Sequence, residues 1–280
     1  MVTYIACGKV NYQIVGMSSV EYPDLPSFEQ TDRITLNAKI LRDMIRQTVY
    51  AVSENTAKPI YTGSLYEIED GVFKIIAIDG YRMAIRSENV DSESKNRFVV
   101  PGKTQHEVLK LLTDDEENTE IIIGQRHITF KIKNYRIISR LIEGTFIEYK
   151  SAIPKETKTE VVINTRTIID AVERMSLLNN DRIQSPVRCI FSDDEIKLSC
   201  TSAVGRANDV ISVPIIGESV EIGFNNRYLL DALKNADTDE IKLILNGSLT
   251  AMIVKPVKGD SYLSLSLIHI SEPTRHSLIS

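Results

Sequence analysis

Cysteine, excess positive charge and long apolar runs are all scarce in this chain. Three cysteines occur in 280 residues, Cys7, Cys189 and Cys200, too few and too scattered for a disulfide framework or a paired metal site. A reducing cytoplasm is the expected compartment. Lys and Arg total 33 against 38 Asp and Glu, a net charge of −5 that excludes a wholly basic nucleic-acid coat but not a local basic surface. No apolar run approaches the roughly 20 residues of a membrane-spanning helix, and the N-terminus lacks a basic-then-apolar signal segment. Of four histidines, His269 and His276 lie in an anomalous C-terminal string, while His106 and His127 have no i,i+4 partner and no nearby cysteine. Metal ligation is therefore not expected, and no cofactor is. What is present, 42% hydrophobic and 25% charged residues, is an ordinary globular composition, and the length suggests about two domains.

The chain is organised by an internal repeat. Ile34-Thr35-Leu36-Asn37 leads into a helical pattern through Leu41, Met44, Ile45 and Thr48, and Val161-Val162-Ile163-Asn164 leads into one through Ile168, Ala171, Val172 and Met175, offset by 127 residues. In both, a short strand ends at an Asn suited to cap the helix, its side chain accepting from an otherwise orphan N–H. Val99-Val100-Pro101-Gly102-Lys103 and Gly223-Phe224-Asn225-Asn226-Arg227 open a second pair of helices, offset by 124. The remainder reads as strands, among them Leu65–Glu67 and Val72–Ile78 around an Asp70-Gly71 turn, Ile121–Ile123, Ile128–Ile132, Ile196–Cys200 and Ile241–Leu245. A third echo joins Asn11–Ile14 to Asn134–Ile137, and Tyr22 through Pro26 to Tyr149 through Pro154, so residues 1–28 are expected to be the last strands of a preceding copy. From Leu265 the chain reads Leu-Ser-Leu-Ile-His-Ile-Ser-Glu-Pro-Thr-Arg, which resembles a sequencing adapter translated in frame. Residues 265–280 are thus expected to be a non-native tail.

Catalytic patterns are weak. Pro101-Gly102-Lys103-Thr104 resembles the end of a phosphate-binding loop, but Arg97 stands where that loop needs its first Gly. Acidic clusters at Asp114–Glu117, Asp193–Glu195 and Asp237–Glu240 fall at element ends, where solvated charge is ordinary. Asn246-Gly247-Ser248 reads as a tight turn. The four helical windows carry more: Lys39, Arg42, Arg46, Lys103, Lys110, Arg166, Arg174, Arg227 and Lys234 oppose Asp43, Glu107, Asp170, Glu173 and Asp231, a net of +4 in a chain of −5. Repeated over four helices, that excess suggests a shared basic surface meeting phosphates without reading bases.

A repeat near 125 residues with basic helices resembles the bacterial sliding clamp family, the beta subunit of DNA polymerase III. Ile76-Ala77-Ile78-Asp79-Gly80-Tyr81-Arg82-Met83-Ala84 is similar to that family's V-A-T-D-G-H-R-L-A segment. Val99–Lys103 and Glu221–Asn225 through Tyr228–Leu233 are similar to the entries of its second- and third-domain helices. The resemblance implies an α+β clamp fold, two complete repeats of two helices on antiparallel sheets. Residues 1–28 would be a first-domain remnant, 29–155 the middle domain and 156–264 the C-terminal domain. It implies a non-catalytic processivity factor that encircles duplex DNA as a homodimeric ring. A hydrophobic cleft would bind short linear motifs of the replicative polymerase, the clamp loader and repair proteins.

By the same resemblance the cleft comprises Tyr61, Ile78, Gly80, Tyr81, Arg82, Met83, Ile147, Ser151, Ala152, Leu249 and Leu263, its apolar walls taking Leu or Phe anchors while Arg82 orients the peptide. Ile78, Tyr81, Ile147 and Ser151 depart from the family's usual Thr, His, Pro and Arg, and the terminal Pro-containing strand is replaced. Asn55, Lys103, Lys110, Arg166, Arg174, Arg227 and Lys234 are the implied DNA-facing residues. With the first domain incomplete and the terminal strand lost, the chain is expected not to close the usual ring and to bind peptide weakly. Two rival readings are a metal-dependent α+β nuclease or transferase using the acidic loops, and a β-rich peptide-binding module without a DNA role.

Overall fold

The computed structural model describes residues 1–22, 30–113, 117–178 and 186–266. An N-terminal hairpin pairs β1 (Val2–Cys7) with β2 (Val10–Val15), Tyr4 opposite Gln13, and every residue of it is exposed. The first repeat then runs β3 (Gln30–Asn37), α1 (Ala38–Val49), β4 (Gly63–Glu69), β5 (Val72–Ile78), β6 (Arg82–Asn89), β7 (Asn96–Pro101), α2 (Gly102–Leu111), β8 (Asn118–Gly124), β9 (His127–Ile132) and β10 (Tyr135–Arg140). The second runs β11 (Thr159–Asn164), α3 (Thr165–Ser176), β12 (Val187–Ser192), β13 (Glu195–Ser202), β14 (Gly205–Ser212), a short β15 (Ile215–Gly217), β16 (Val220–Phe224), α4 (Asn226–Lys234), β17 (Glu240–Leu245), β18 (Met252–Pro256) and β19 (Tyr262–Ser266).

Apart from β15 the two orders are the same. Asn37 Oδ1 accepts from Lys39 N (2.9 Å) and Asn164 Oδ1 from Thr167 N (3.0 Å), so each cap does at its helix what its position predicts. Asn225 adds a third cap, accepting from Arg227 N at 3.0 Å. The β4–β5 turn has positive φ at both Asp70 (52°) and Gly71 (73°), the backbone twist that suits a two-residue hairpin. The echo of Asn11–Ile14 with Asn134–Ile137 falls on the returning strand of a hairpin in both places. Most of its companion echo, Pro23–Pro26, lies outside the described residues.

Each repeat folds two sheets around its helices. In the first, β10-β9-β8-β3 and β6-β5-β4-β7 enclose a core of Leu41, Met44, Ile45, Val108, Tyr66, Phe73 and Phe130. In the second, β14-β13-β12-β16 and β19-β18-β17-β11 enclose Ile168, Val172, Met175, Leu229, Leu233, Phe191 and Phe224. Helical burial at every third and fourth position supplies one apolar stripe per helix, and that stripe is what the sheets cover. One pairing joins the repeats. The last strand of the second, β19, lies antiparallel to β6 of the first, Leu263 opposite Ile85 and Leu265 opposite Met83, which makes a single nine-stranded sheet.

The pairing runs two residues into the stretch expected to be a tail. Leu265 and Ser266 are strand residues, and Leu265 is buried against the joint. Residues 267–280, with His269 and His276, lie outside the described residues.

Candidate functional site

The β6–β19 joint sorts side chains by the two-residue alternation of a strand. Met83 and Ile85 of β6 and Leu263 and Leu265 of β19 turn to one face. There they meet Tyr61, Ile78, Phe146, Tyr149, Ile244 and Ile253 in one apolar cluster drawn from both repeats. Tyr61 packs edge-on to Phe146, ring centroids 5.7 Å apart. Four of the eleven expected cleft residues (Tyr61, Ile78, Met83, Leu263) are thus brought together.

Others border that cluster. Ser151 and Ala152 are exposed in the short turn that also carries buried Tyr149, and exposed Leu249 comes two residues before buried Ala251. Ile147 is exposed as well, next to buried Phe146. Gly80, with φ of 96°, and Tyr81 form the turn into β6. Asp79 ties that turn down, its Oδ1 accepting from the N–H of Tyr81 (2.8 Å) and of Arg82 (2.9 Å).

Arg82 does not face the apolar cluster. Alternation turns it to the helix side with Ala84, where its Nε donates to Asp79 Oδ2 (2.8 Å) and its Nη1 to Asp231 Oδ2 of α4 (2.5 Å). Its guanidinium lies 4.5 Å from the ring centre of Tyr228 and 5.5 Å from that of Tyr50, with the side chain 8% exposed. Burial by itself would lower the guanidinium's pKa, but the bond to Asp231 and the charge of Asp79 outweigh it, and the pKa is raised. Its charge bridges the two repeats through Asp79 and Asp231.

Beneath it, Tyr50 OH lies 2.9 Å from Ser264 Oγ and 3.0 Å from Tyr262 OH; Tyr262 in turn donates to the Ala232 carbonyl of α4 (3.1 Å). Burial pushes the Tyr50 phenol up to about 12 despite both hydrogen bonds, and burial also raises the Tyr262 phenol well above its ordinary value. Tyr50, Tyr228, Asp231 and Tyr262 were not among the expected site residues. Tyr228 and Asp231 are three apart on α4 and therefore share a face, the one local signal that could have singled them out.

A cavity of about 210 Å³ opens beside this network. Val52, Ser53, Glu54, Asn55, Asp79, Tyr81, Arg82, Arg227 and Tyr228 line it, with the Tyr81 and Tyr228 rings stacked at 6.2 Å. It brings together Asn55 and Arg227, expected to face DNA, with Tyr81 and Arg82, expected in the cleft.

The helices follow the order α2, α1, α4, α3, with α1 and α4 meeting across the joint at their C-terminal ends. α1 packs on α2 and α3 on α4. Across the joint, Arg46 bonds Asp237 (2.6 Å) and Gln47 Nε2 donates to the Asn235 carbonyl (3.0 Å). Most of the expected DNA-facing cations are exposed but paired: Lys110 with Glu107 (2.8 Å), Arg166 with Asp170 (2.8 Å), Arg174 with Asp209 (2.5 Å), Lys234 with Glu173 (2.6 Å) and Arg227 loosely with Glu54 (3.7 Å). Asp209, Asp237 and Glu54 come from loops and strands outside the helices. The +4 counted on the helices alone therefore overstates the basic character of this surface. Lys39 and Lys103 are exposed and make no ion pair among the described residues.

The acidic loops do not converge. Asp194 Oδ1 accepts from Ile215 N (2.9 Å) and Asp237 pairs with Arg46; Asp114–Glu116 lie outside the described residues. Among the described residues no three His, Cys, Asp or Glu side chains are grouped to hold a metal ion, and no helix is long and apolar enough to cross a membrane.

Comparison with known proteins agrees with this architecture. The family profile for the DNA polymerase III beta subunit, central domain, matches residues 35–148, and that for its C-terminal domain matches residues 150–268. A beta sliding clamp of Halalkalibacterium halodurans is 32% identical over 281 aligned positions, covering 98% of this chain and 73% of that protein. The Bacillus subtilis beta sliding clamp is 32% identical over 270 positions, covering 95% and 71%. The crystal structure of a DNA polymerase sliding clamp from Bacillus subtilis superposes with a TM-score of 0.91 at 32% identity, covering 96% of this chain and 72% of that one. The DNA polymerase III subunit beta of Pseudomonas aeruginosa, at 24% identity and a TM-score of 0.90, shares the fold. Two clamp domains matched in order, on either side of the β6–β19 joint, establish that the chain belongs to the DNA polymerase III beta-subunit family, the sliding clamps, whose members are non-catalytic processivity factors of bacterial DNA replication.

Proposed function

We propose that the helix row faces duplex DNA inside a ring, and that the apolar cluster at the joint is the floor of a cleft for short linear motifs. The observation that carries this reading is that the helix pairs α2–α1 and α4–α3 are linked across the joint through Arg46–Asp237 and Gln47–Asn235, with a single sheet joining both repeats. Asn55, Lys103, Lys110, Arg166, Arg174, Arg227 and Lys234 are its DNA-facing side chains, and Lys39 joins them. Contacts that are diffuse and mostly paired with protein carboxylates hold DNA weakly at any one point, which suits sliding. Ring growth has a template in the chain itself. β14 occupies in the second repeat the place that β6 occupies in the first, and it is the end strand of its sheet, where a further strand from another chain would pair as β19 pairs with β6.

In the cleft, Tyr61, Ile78, Met83 and Leu263 supply apolar contact for Leu or Phe anchors of an extended peptide, and Gly80, Tyr81, Ile147, Ser151, Ala152 and Leu249 form the rim. Motifs from the replicative polymerase, the clamp loader and repair proteins are the expected occupants, in the bacterial cytoplasm. Two measurements test the reading. Fluorescence polarisation with a Leu-Phe-containing peptide should give saturable binding that Met83→Ala weakens, and unchanged binding in that variant would refute the cleft. Association with duplex DNA should fall steeply with salt, and a salt-independent association would refute the lumen.

A further inference from the structure

The segment that carries part of the cleft rim is held to the fold by its side chains. Ile142 N donates to the Val99 carbonyl (2.9 Å), and the next backbone N–H along the chain to reach a sheet is that of Lys158, on the Leu245 carbonyl (3.2 Å). Between them, among the described residues, no backbone–backbone hydrogen bond joins residues 143–157 to either repeat. Ile147, Ser151 and Ala152 all lie in this stretch. The short turn Tyr149–Ala152 is its one regular element, and no side chain caps that turn.

Phe146, Tyr149 and Ile153 hold the segment inward by packing in the apolar cluster. Apolar contact is non-directional and fixes no register, whereas a hydrogen bond has a preferred length and angle. Tyr149 supplies that constraint. Its OH donates to Glu67 Oε2 of β4 at 2.6 Å, the length of a charge-assisted bond, with both residues buried. Among the described residues this is the one close hydrogen bond from residues 143–157 to a strand. Glu67 shares a face of β4 with Leu65 of the cluster. Arg97, directly opposite on β7, stands 3.8 Å from it and compensates its charge, while making a long 3.5 Å contact to the Ile147 carbonyl. Burial, and then the bond itself, raise the Tyr149 phenol and keep it a donor.

We propose that Glu67 is a positioning residue for the cleft: by fixing Tyr149 it sets where Ile147, Ser151 and Ala152 stand against the apolar floor before a peptide arrives. This role rests on the cleft reading given above. Glu67 acts through Tyr149 and not by touching the peptide. A rim already held in place spares the bound peptide the cost of ordering it, so the pair contributes to affinity although it lies beneath the rim.

Fluorescence polarisation with the Leu-Phe-containing peptide tests this on the whole chain, with Met83→Ala as the cleft control. Tyr149→Phe removes the hydroxyl and keeps the ring in the cluster, and it should weaken the peptide by about threefold to tenfold. Glu67→Ala should weaken it to a similar degree, and the double variant should be no weaker than the weaker single one, because both delete the same bond. Glu67→Gln keeps a carbonyl oxygen for the phenol, so it should recover most of the affinity lost in Glu67→Ala. A pair that serves stability alone would lower the urea midpoint and leave the affinity of the folded chain at its starting value. That result would overturn the proposal, as would a Glu67→Gln variant as weak as Glu67→Ala. Binding that Met83→Ala weakens and Tyr149→Phe does not would overturn the positioning role and leave the cleft standing. Binding that is not saturable, or that is indifferent to Met83→Ala, would overturn the cleft and the positioning role with it.

Discussion

Replacing either end of the Arg82–Asp231 bond tests whether a single buried ion pair locks the two repeats. Asp231→Ala leaves a guanidinium that is 8% exposed with Asp79 as its remaining anion. Breaking a fully buried pair costs about 3–5 kcal/mol. Asp231 is one-third exposed and Asp79 still compensates, so the expected loss is nearer 2 kcal/mol. Arg82→Met keeps the stem but leaves two carboxylates facing each other and removes the stacking on Tyr228, and about 3 kcal/mol is expected. Because both variants delete the same bond, the double variant should be less destabilised than their sum by about 1.5–3 kcal/mol. Urea-unfolding midpoints of the four proteins, compared at a common slope, give that coupling directly. A coupling below about 0.5 kcal/mol would refute the lock.

Other outcomes follow from the same geometry. The Tyr50 phenol, raised by burial from 10 to about 12, is protonated in the folded chain when the unfolded chain has lost its proton. The stabilisation is therefore intact below pH 10 and lost as pH rises towards 12, and Tyr50→Phe should make that alkaline decline of the urea midpoint shallower. Tyr66 is fully buried, its hydroxyl without a hydrogen-bond partner among the described residues, while its ring packs against Phe73 and Phe98. Tyr66→Phe should accordingly leave stability unchanged or raise it by about 1 kcal/mol in thermal unfolding, and a clear loss would reveal a hidden partner for the hydroxyl. A Cβ on Gly63 would sit 2.4 Å from the Val100 carbonyl oxygen and 2.9 Å from Ile142 Cδ1, so Gly63→Ala should lower the urea midpoint by the equivalent of about 1–3 kcal/mol. In duplex binding, Lys39→Ala and Lys103→Ala should each reduce the salt dependence by about one counterion, whereas Arg174→Ala, already paired with Asp209, should change it little.

Much of the architecture is written in local pattern. Strand–Asn–helix segments recur at nearly constant spacing, and each Asn caps its helix because the caps need only a short polar side chain and the next few N–H groups. The Asp70-Gly71 turn and the apolar stripes of α1 and α3 are equally local. A count of charge on the helices alone leaves out the carboxylates that neutralise them. The neutralising Asp237 and Asp209 belong to other elements and approach only in the folded chain.

Residues 1–266 carry the repeat, the helix caps, the turn chemistry and the apolar stripes within short stretches of chain, because each depends on neighbours no more than a few positions away. The role of Arg82 depends on position in space. Met83 beside it reaches the apolar cluster while Arg82 meets Asp231, 149 residues further on, because adjacent strand residues point to opposite faces and β19 happens to pair with β6. The scarcity of cysteine and of excess positive charge narrowed the chemistry at the outset. Which cations remain unpaired on the helix row, and which strand edges remain open, were decided by contacts between residues far apart in the chain.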